Sequence, residues 1–400
     1  MSLERFARRL PRHLRNTALD LLNPLRKRRV MREIQPRWLT LFVTNRCNAR
    51  CDHCFYWDSL NDGSDELSLN HWCTLLGSLK GPLNTLRLSG GEPFLRRDIP
   101  DLFAYIDERR IATKMSIPTH GMLDLVPRVT AMAESARHTH LNVSISLDGF
   151  AERHDRFRKI PRGFDKAVAN LRRLVALEER VDRFNVSVSM SLARDFALAG
   201  DGADGGSDGG HEGEAERLTR FLRDDVGVSS IGYDHIRDAG RDVFDLPADM
   251  DAGFVPPPVG ESGKAREHLR PGVDLHLSPD EMETVNARLA RHARSRADRI
   301  TFERMATQVA IKRKRGRLVD CLAGYVDCVV YPDGGVAVCE MSTPFANLHD
   351  FAMDLDRLLH SEEAVQARAR TRRCACTHPC HLSDSLAYDN GFLKRFLDED

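Results

Sequence analysis

Four hundred residues, 42% hydrophobic and 30% charged, are enough for two or three domains with a real core. Lys+Arg and Asp+Glu both number 59, which argues against a globally basic nucleic-acid binder and an acidic solvating chain, and no run of about 18 apolar residues offers a transmembrane helix. Ten cysteines fall into two tight groups plus one stray, Cys73, a pattern of metal or cluster chemistry in a reducing compartment rather than of a disulfide scaffold.

The balanced charge hides an asymmetry. Residues 1–37 hold eleven Lys/Arg against Glu4, Asp20 and Glu33, a net +8, which leaves −8 on the rest. Leu3, Phe6, Ala7, Leu10, Leu14, Ala18, Leu21 and Leu22 recur there at helical spacing, with Pro11 interrupting the run. This basic helical segment reads either as packed on the core with a solvated basic face, or as a weak contact with an anionic membrane surface or acidic partner.

From residue 38 the text alternates. β-rich runs stand at Leu39–Thr44, Thr85–Ser89, Lys114–Pro118, Leu141–Leu147, Phe184–Leu192 and Val228–Tyr233. Helix-like stretches separate them near 69–80, 98–110, 122–137, 164–180 and 214–225. Alternation of this kind predicts βαβ units and a parallel sheet. Six strands are too few for a closed eight-stranded barrel and suit a partial one, so the fold class is α/β, a partial (β/α)6 TIM-like barrel over residues 38–241. Residues 199–216 are Gly/Asp-rich and read as a disordered loop. Residues 242–300 read as a Pro/Gly/Asp-rich linker followed by a helix near 279–298. Residues 301–400 read as a smaller C-terminal α+β domain holding six of the ten cysteines.

The first cysteine group, Cys47-Asn-Ala-Arg-Cys51-Asp-His-Cys54, directly follows the first strand. A zinc site commonly wants four ligands, often as two separated pairs; three closely spaced thiolates suit an iron–sulfur cube with one iron open to a chelating small molecule. A zinc site completed by His53 is the competing reading. Cys73 sits in a helix-like stretch and reads as a buried apolar residue.

Here the chain resembles the radical S-adenosylmethionine (radical SAM) enzymes, whose signature is Cys-x3-Cys-x2-Cys in the loop after the first strand. Ser89-Gly90-Gly91-Glu92-Pro93 follows the second strand, where that family carries its Gly-Gly-Glu motif. Thr119-His120-Gly121 ends the third strand, and Ser144, Ser146 and Asp148-Gly149 end the fourth. The resemblance implies a [4Fe–4S] cluster on Cys47, Cys51 and Cys54 that binds SAM. It implies that Gly90, Gly91 and Glu92 meet the methionine end, that His53 lies near the adenine, and that Ser146 and Asp148 are cofactor-contacting polar residues. Serine on a solvent face and Asp-Gly turn chemistry are the plainer alternatives for those last two.

Downstream stand Cys321, Cys328, Cys339, Cys374, Cys376 and Cys380. Asp333-Gly334 gives a hairpin turn between β-branched runs. Cys321, Gly334 and Cys339, the Asn347-Leu348 step and the closing Cys374-Ala-Cys376-Thr-His-Pro-Cys380 resemble the SPASM/twitch extension of radical SAM enzymes, which carries auxiliary clusters. Six cysteines fall between the one- and two-cluster forms, so one auxiliary [4Fe–4S] cluster is expected. Cys321, Cys339 and Cys380 are its firmest ligands, with Cys376, Cys374 or Cys328 as the fourth. A second cluster would need His378 or His381, and a structural zinc site is the alternative.

The resemblance implies reductive cleavage of SAM to a 5′-deoxyadenosyl radical, which abstracts hydrogen from an unactivated carbon of a peptide or small metabolite. Oxidation, epimerisation and other tailoring all remain open. The 37 residues ahead of the barrel leave little room for an extra peptide-recognition domain, which lowers the expectation of a ribosomal-peptide substrate. An external one-electron donor of flavodoxin or ferredoxin type, a cytoplasmic location and no nucleic-acid partner are expected. The competing class is a non-enzymatic zinc-binding protein or a membrane or nucleic-acid adaptor.

Overall fold

Strict two-residue alternation builds the sheet. In β5 (Phe184–Leu192) the residues Phe184, Val186, Val188, Met190 and Leu192 are buried, and Asn185, Ser187, Ser189 and Ser191 between them are half-buried. The apolar set packs under the helices, and the polar set lines the concave face. The same division holds in β1 (Trp38–Phe42), β2 (Leu83–Ser89), β3 (Ala112–Thr119), β4 (His140–Ser146) and β6 (Ser230–His235), with β1 the most buried on both faces. These six strands pair in parallel, in chain order, as a partial barrel. The computed structural model describes Ala7 and residues 9–198, 212–236, 243–244, 275–371 and 374–398.

The expected helices sit at Leu69–Gly77, Ile99–Glu108, Val126–Ser135, Gly163–Glu178 and Glu214–Arg220, the last running on through one π turn. A helix at Ala151–Arg158 was not expected; its mean composition is strongly polar, and only His154, Phe157 and Arg158 are buried. The Gly/Asp-rich loop lies outside the described residues as far as 211, and its last residues already belong to the helix that starts at Glu214. Of the expected linker before residue 275, only β7 (Val243–Phe244) is described.

The boundary expected at 300/301 falls inside a helix, Arg296–Lys314, which follows Pro279–Ala290. Ser295 caps that helix through Asp298, so it starts before the expected boundary and runs past it. The C-terminal part also shares the barrel's sheet. β8 (Asp327–Val330) pairs in parallel with β1, and β9 (Gly335–Ala337) and β10 (Ala346–Asn347) extend it antiparallel. Among the described residues this makes a nine-stranded sheet. The predicted hairpin turn is present, with Gly334 at φ 88°, a conformation that favours glycine.

The helix Pro379–Leu386 is tied to the concave face. Asp384 meets Arg87 of β2 at 3.4 Å, and His381 meets Asp327 of β8 at 2.6 Å. β11 (Ala375–Cys376) pairs with β7. At the other end of the chain, the helix Arg12–Glu33 continues through Pro24 and packs on the C-terminal helix Asn390–Asp398. Asn23 bonds the Tyr388 carbonyl at 2.9 Å and Asn390 at 2.7 Å. No helix among the described residues is long and apolar enough to cross a membrane.

Candidate active site

The first cysteine group is held by continued pairing beyond the ends of β1 and β2. Gly91 N donates to the Thr44 carbonyl and Glu92 N to the Arg46 carbonyl, both at 2.8 Å. A side chain at Gly90 (φ 129°) would run into the Thr44 carbonyl oxygen, and one at Gly91 into that of Arg46. The glycine pair therefore admits the backbone of the cysteine loop. Glu66 accepts from Thr44 Oγ1 (2.6 Å) and Asn45 N (2.9 Å), and Asn61 brackets Cys47 through its amide and carbonyl.

Cys47, Cys51 and Cys54 come together. Burial pushes the Cys47 thiol up to about 11 and Cys54 up to about 12, and each is raised further by its neighbours in the trio. Burial also raises Cys51, against the pull of Arg158, whose Nη1 lies 3.9 Å from Sγ. Burial opposes ionisation of all three thiols, and a cationic centre among them would favour the thiolate forms. The donor set fits an iron–sulfur cluster with three protein ligands.

Glu92 is buried and fully engaged. It accepts from Phe94 N (3.1 Å), Thr119 Oγ1 (2.8 Å) and His120 N (3.0 Å). His120 Nδ1 accepts from Met122 N, so its Nε2 carries the proton and donates to Asn48 Oδ1 at 2.8 Å. Burial lowers the His120 pKa, which keeps the ring neutral. Strand β3 thus reaches the cysteine loop through one imidazole.

Asp148 differs from its expected role. Its Oδ2 takes Arg158 at 2.6 Å and its Oδ1 takes Ser191 N at 2.7 Å. The carboxylate, held below its ordinary range by Arg158 against the larger cost of burial, orients the guanidinium. His53 stacks flat on Phe157 (4.7 Å between centroids, 4° between planes), with Nε2 3.2 Å from Ser191 Oγ. That engagement disfavours His53 as a fourth metal ligand. Ser146 stands half-buried on the concave face, in register with Ser189 of β5.

Of the second group, Cys321, Cys339 and Cys374 join one small buried cluster with Ala323, Val338, Met341 and Ala367. Cys380 lies beside it, its Sγ within 4.8 Å of ligand atoms on Glu340 and His378. Cys376 contributes backbone to β11; its side chain is outside the described residues. Cys328 belongs elsewhere, fully buried in the main barrel core, because β8 turns it to the helix side while Asp327 faces His381. His381 is engaged at both ring nitrogens, Nδ1 with Asp327 Oδ2 at 2.6 Å and Nε2 with Glu340 N at 3.4 Å, and Asp327 raises its pKa to about 9 against the pull of burial. Cys73 is half-buried at the core's edge on the helix Leu69–Gly77, remote from both groups.

Arg158 and Asn48 were missed by sequence reasoning. Neither belongs to a spacing motif, and Arg158 ends a short polar helix that carries no periodic signal. Arg87 and Lys114 stand half-buried on the concave face, Lys114 in register with Thr85 near the start of β3, and burial and then Arg87 lower the Lys114 pKa.

Comparison with known proteins places residues 41–188 on the model of the Radical SAM superfamily. Among curated proteins, the chain is 35% identical over 133 residues to the Fe-coproporphyrin III synthase of Methanosarcina barkeri, covering 32% of this chain and 31% of that one. It is 29% identical over 164 residues to the GTP 3′,8-cyclase of Syntrophomonas wolfei, covering 40% and 47%. These matches span less than half the length of either relative. In fold, the chain is similar to anSMEcpe with bound AdoMet (TM-score 0.55, 15% identity, 91% of this chain and 98% of that one). It is also similar to Streptococcus suis SuiB bound to precursor peptide SuiA (TM-score 0.54, 12% identity, 89% and 73%).

Proposed function

From the membership of this chain in the radical SAM superfamily, we propose that it reductively cleaves S-adenosylmethionine and uses the resulting 5′-deoxyadenosyl radical to abstract hydrogen from an unactivated carbon of a peptide substrate. The observation that carries this reading is the loop of Cys47, Cys51 and Cys54, whose thiols are near enough to raise one another's pKa, stitched to Gly90-Gly91-Glu92. A [4Fe–4S] cluster held there supplies the one-electron chemistry. The chain's own residues supply placement. Gly90 and Gly91 bring the cysteine loop against β2, and Glu92 and His120 lock it to β3. His53, backed by Phe157, offers a flat ring to the adenine, and Ser146 a hydroxyl on the same concave face. Asp148 acts through Arg158, as a positioning residue.

One auxiliary [4Fe–4S] cluster is proposed on Cys321, Cys339 and Cys380, with Cys374 or Cys376 as fourth ligand. The packing of Cys374 beside Cys321 and Cys339 favours it. The peptide reading leans on likeness in fold to structures that hold bound peptides. A small-metabolite substrate is the second reading, favoured by the sequence relatives. The electron comes from a flavodoxin- or ferredoxin-type donor in a reducing, cytoplasmic compartment. Family membership sets aside the non-enzymatic zinc-binding and adaptor readings.

Anaerobic reconstitution tests this. The protein should hold about eight irons and form 5′-deoxyadenosine under reduction, and Cys51→Ala should abolish the product. A zinc-only protein, or full product from Cys51→Ala, would overturn the assignment.

A further inference from the structure

The N-terminal helix Arg12–Glu33 buries one face and leaves the other bare. Leu19, Asn23 and Val30 turn inward, against the C-terminal helix and the segment around Tyr388. Leu14, Leu21, Leu22 and Leu25 turn outward, 48%, 65%, 40% and 59% exposed. The other exposed large apolar side chains among the described residues are Ile300, Leu318 and Val365, on separate elements. Single exposed leucines are ordinary; four on one stripe of one helix are not. Spacings of seven and four residues put Leu14, Leu21 and Leu25 in one row about 16 Å long.

The row continues in charge. Arg28, Arg29 and Arg32 follow Leu25 by one and two turns on the same exposed side, with Arg29 paired to Glu33 at 2.7 Å. The segment 1–37 carries +8 against −8 on the rest of the chain. We infer that this helix face docks on an anionic lipid surface, with the leucine row entering the headgroup boundary and Arg28, Arg29 and Arg32 meeting lipid phosphates.

Charge and shape select this occupant. A convex leucine ridge ending in arginines is the pattern of an in-plane interfacial helix. A second copy of the chain fits less well, since the four leucines offer well under the roughly 800 Å² per partner that a stable dimer buries. The docking is independent of the radical chemistry. The helix leads into the N-terminal end of β1, whereas the cysteine loop leaves its C-terminal end.

The test uses the full chain and vesicles of phosphatidylcholine alone or mixed with phosphatidylglycerol. Co-sedimentation is expected with the anionic vesicles and should weaken at high salt. The double variant Leu21→Asp/Leu25→Asp should lose at least about tenfold in partitioning, with unchanged circular dichroism and iron content. Arg28→Gln/Arg29→Gln/Arg32→Gln should lose the preference for anionic over neutral vesicles. Four outcomes would overturn the inference. They are sedimentation no greater than with phosphatidylcholine alone, leucine variants that bind like the parent, a dimer abolished by the leucine variants, and binding to polyglutamate without binding to vesicles.

Discussion

Arg158 places its Nη1 3.9 Å from the Sγ of Cys51 while its Nε and Nη2 both lie 2.6 Å from Asp148 Oδ2. One buried guanidinium thus faces a thiol on one side and a carboxylate on the other. It is the fixed positive charge beside a site that gathers three thiols.

Removing that charge leaves Asp148 buried without its partner. Arg158→Met should cost about 3–5 kcal/mol of stability, the usual penalty for breaking a buried pair from one side. Adding Asp148→Asn should return part of it, so the two effects will not add. Anaerobic denaturant titration of the four proteins measures the coupling. In the loaded protein, Arg158→Met should also lower the cluster's reduction potential, because a less positive surrounding favours the oxidised state. An unchanged or higher potential in a redox titration would contradict the electrostatic role.

Gly91→Ala tests the stitch between β2 and the cysteine loop. The added methyl group meets the Arg46 carbonyl, a backbone atom that cannot swing aside. The loop must shift, and iron bound at the first cysteine group should fall sharply while far-ultraviolet circular dichroism stays near normal. Full iron content in this variant would mean the loop tolerates displacement.

The two buried cysteines Cys328 and Cys374 should separate cleanly. Cys328→Ala removes one sulfur from the barrel core, should cost about 1 kcal/mol, and should leave the iron count unchanged. Cys374→Ser should remove about four irons with the first cluster intact. Iron and sulfide analysis beside thermal melting decides between the assignments.

His154 makes the fold acid-sensitive. It is fully buried, its Nδ1 accepts from Asp148 N at 3.2 Å, and its Nε2 has no partner. Burial, helped by Arg158, lowers it to about 4 from 6.5. The unfolded chain takes up a proton near the ordinary value and the folded chain only near the lowered one. The stabilisation from this histidine is therefore complete above the ordinary value and declines as pH falls towards the lowered one, by roughly 1.4 kcal/mol per pH unit around pH 5. Urea midpoints over this range should fall less steeply for His154→Gln than for the parent. Parallel curves would remove His154 from the account.

The barrel strands were legible because two-residue alternation survives in most of them, most clearly in Phe184–Leu192, while β1 reads as a continuous buried run. The cysteine spacing was legible because a short loop puts sequence neighbours in space together. What escaped notice depends on distant partners. Nothing local marks Arg158 as the neighbour of Cys51, since that pairing needs the helix Ala151–Arg158 to lie under the loop. The glycine pair was recognised only by its motif, which does not reveal that the cysteine loop's own backbone packs against it. Cys328 stood among the alternatives for the fourth ligand, and only the register of β8 assigns it to the core face. The exposed leucines of the first helix carry the same periodicity as the buried Leu19, so the pattern alone could not say which row faces outward.

The parallel pairing of β1 with β8 joins Trp38 to Asp327, across most of the chain. During synthesis β1 leaves the ribosome early, and its second neighbour arrives only near the end. Until then its open flank, with Leu39 and Leu41, is a bare sheet edge able to recruit another chain. The sheet therefore closes over this flank only once β8 has been made. A nascent or prematurely stopped polypeptide is a candidate for chaperone binding, and expressing residues 38–241 alone would leave that edge permanently open.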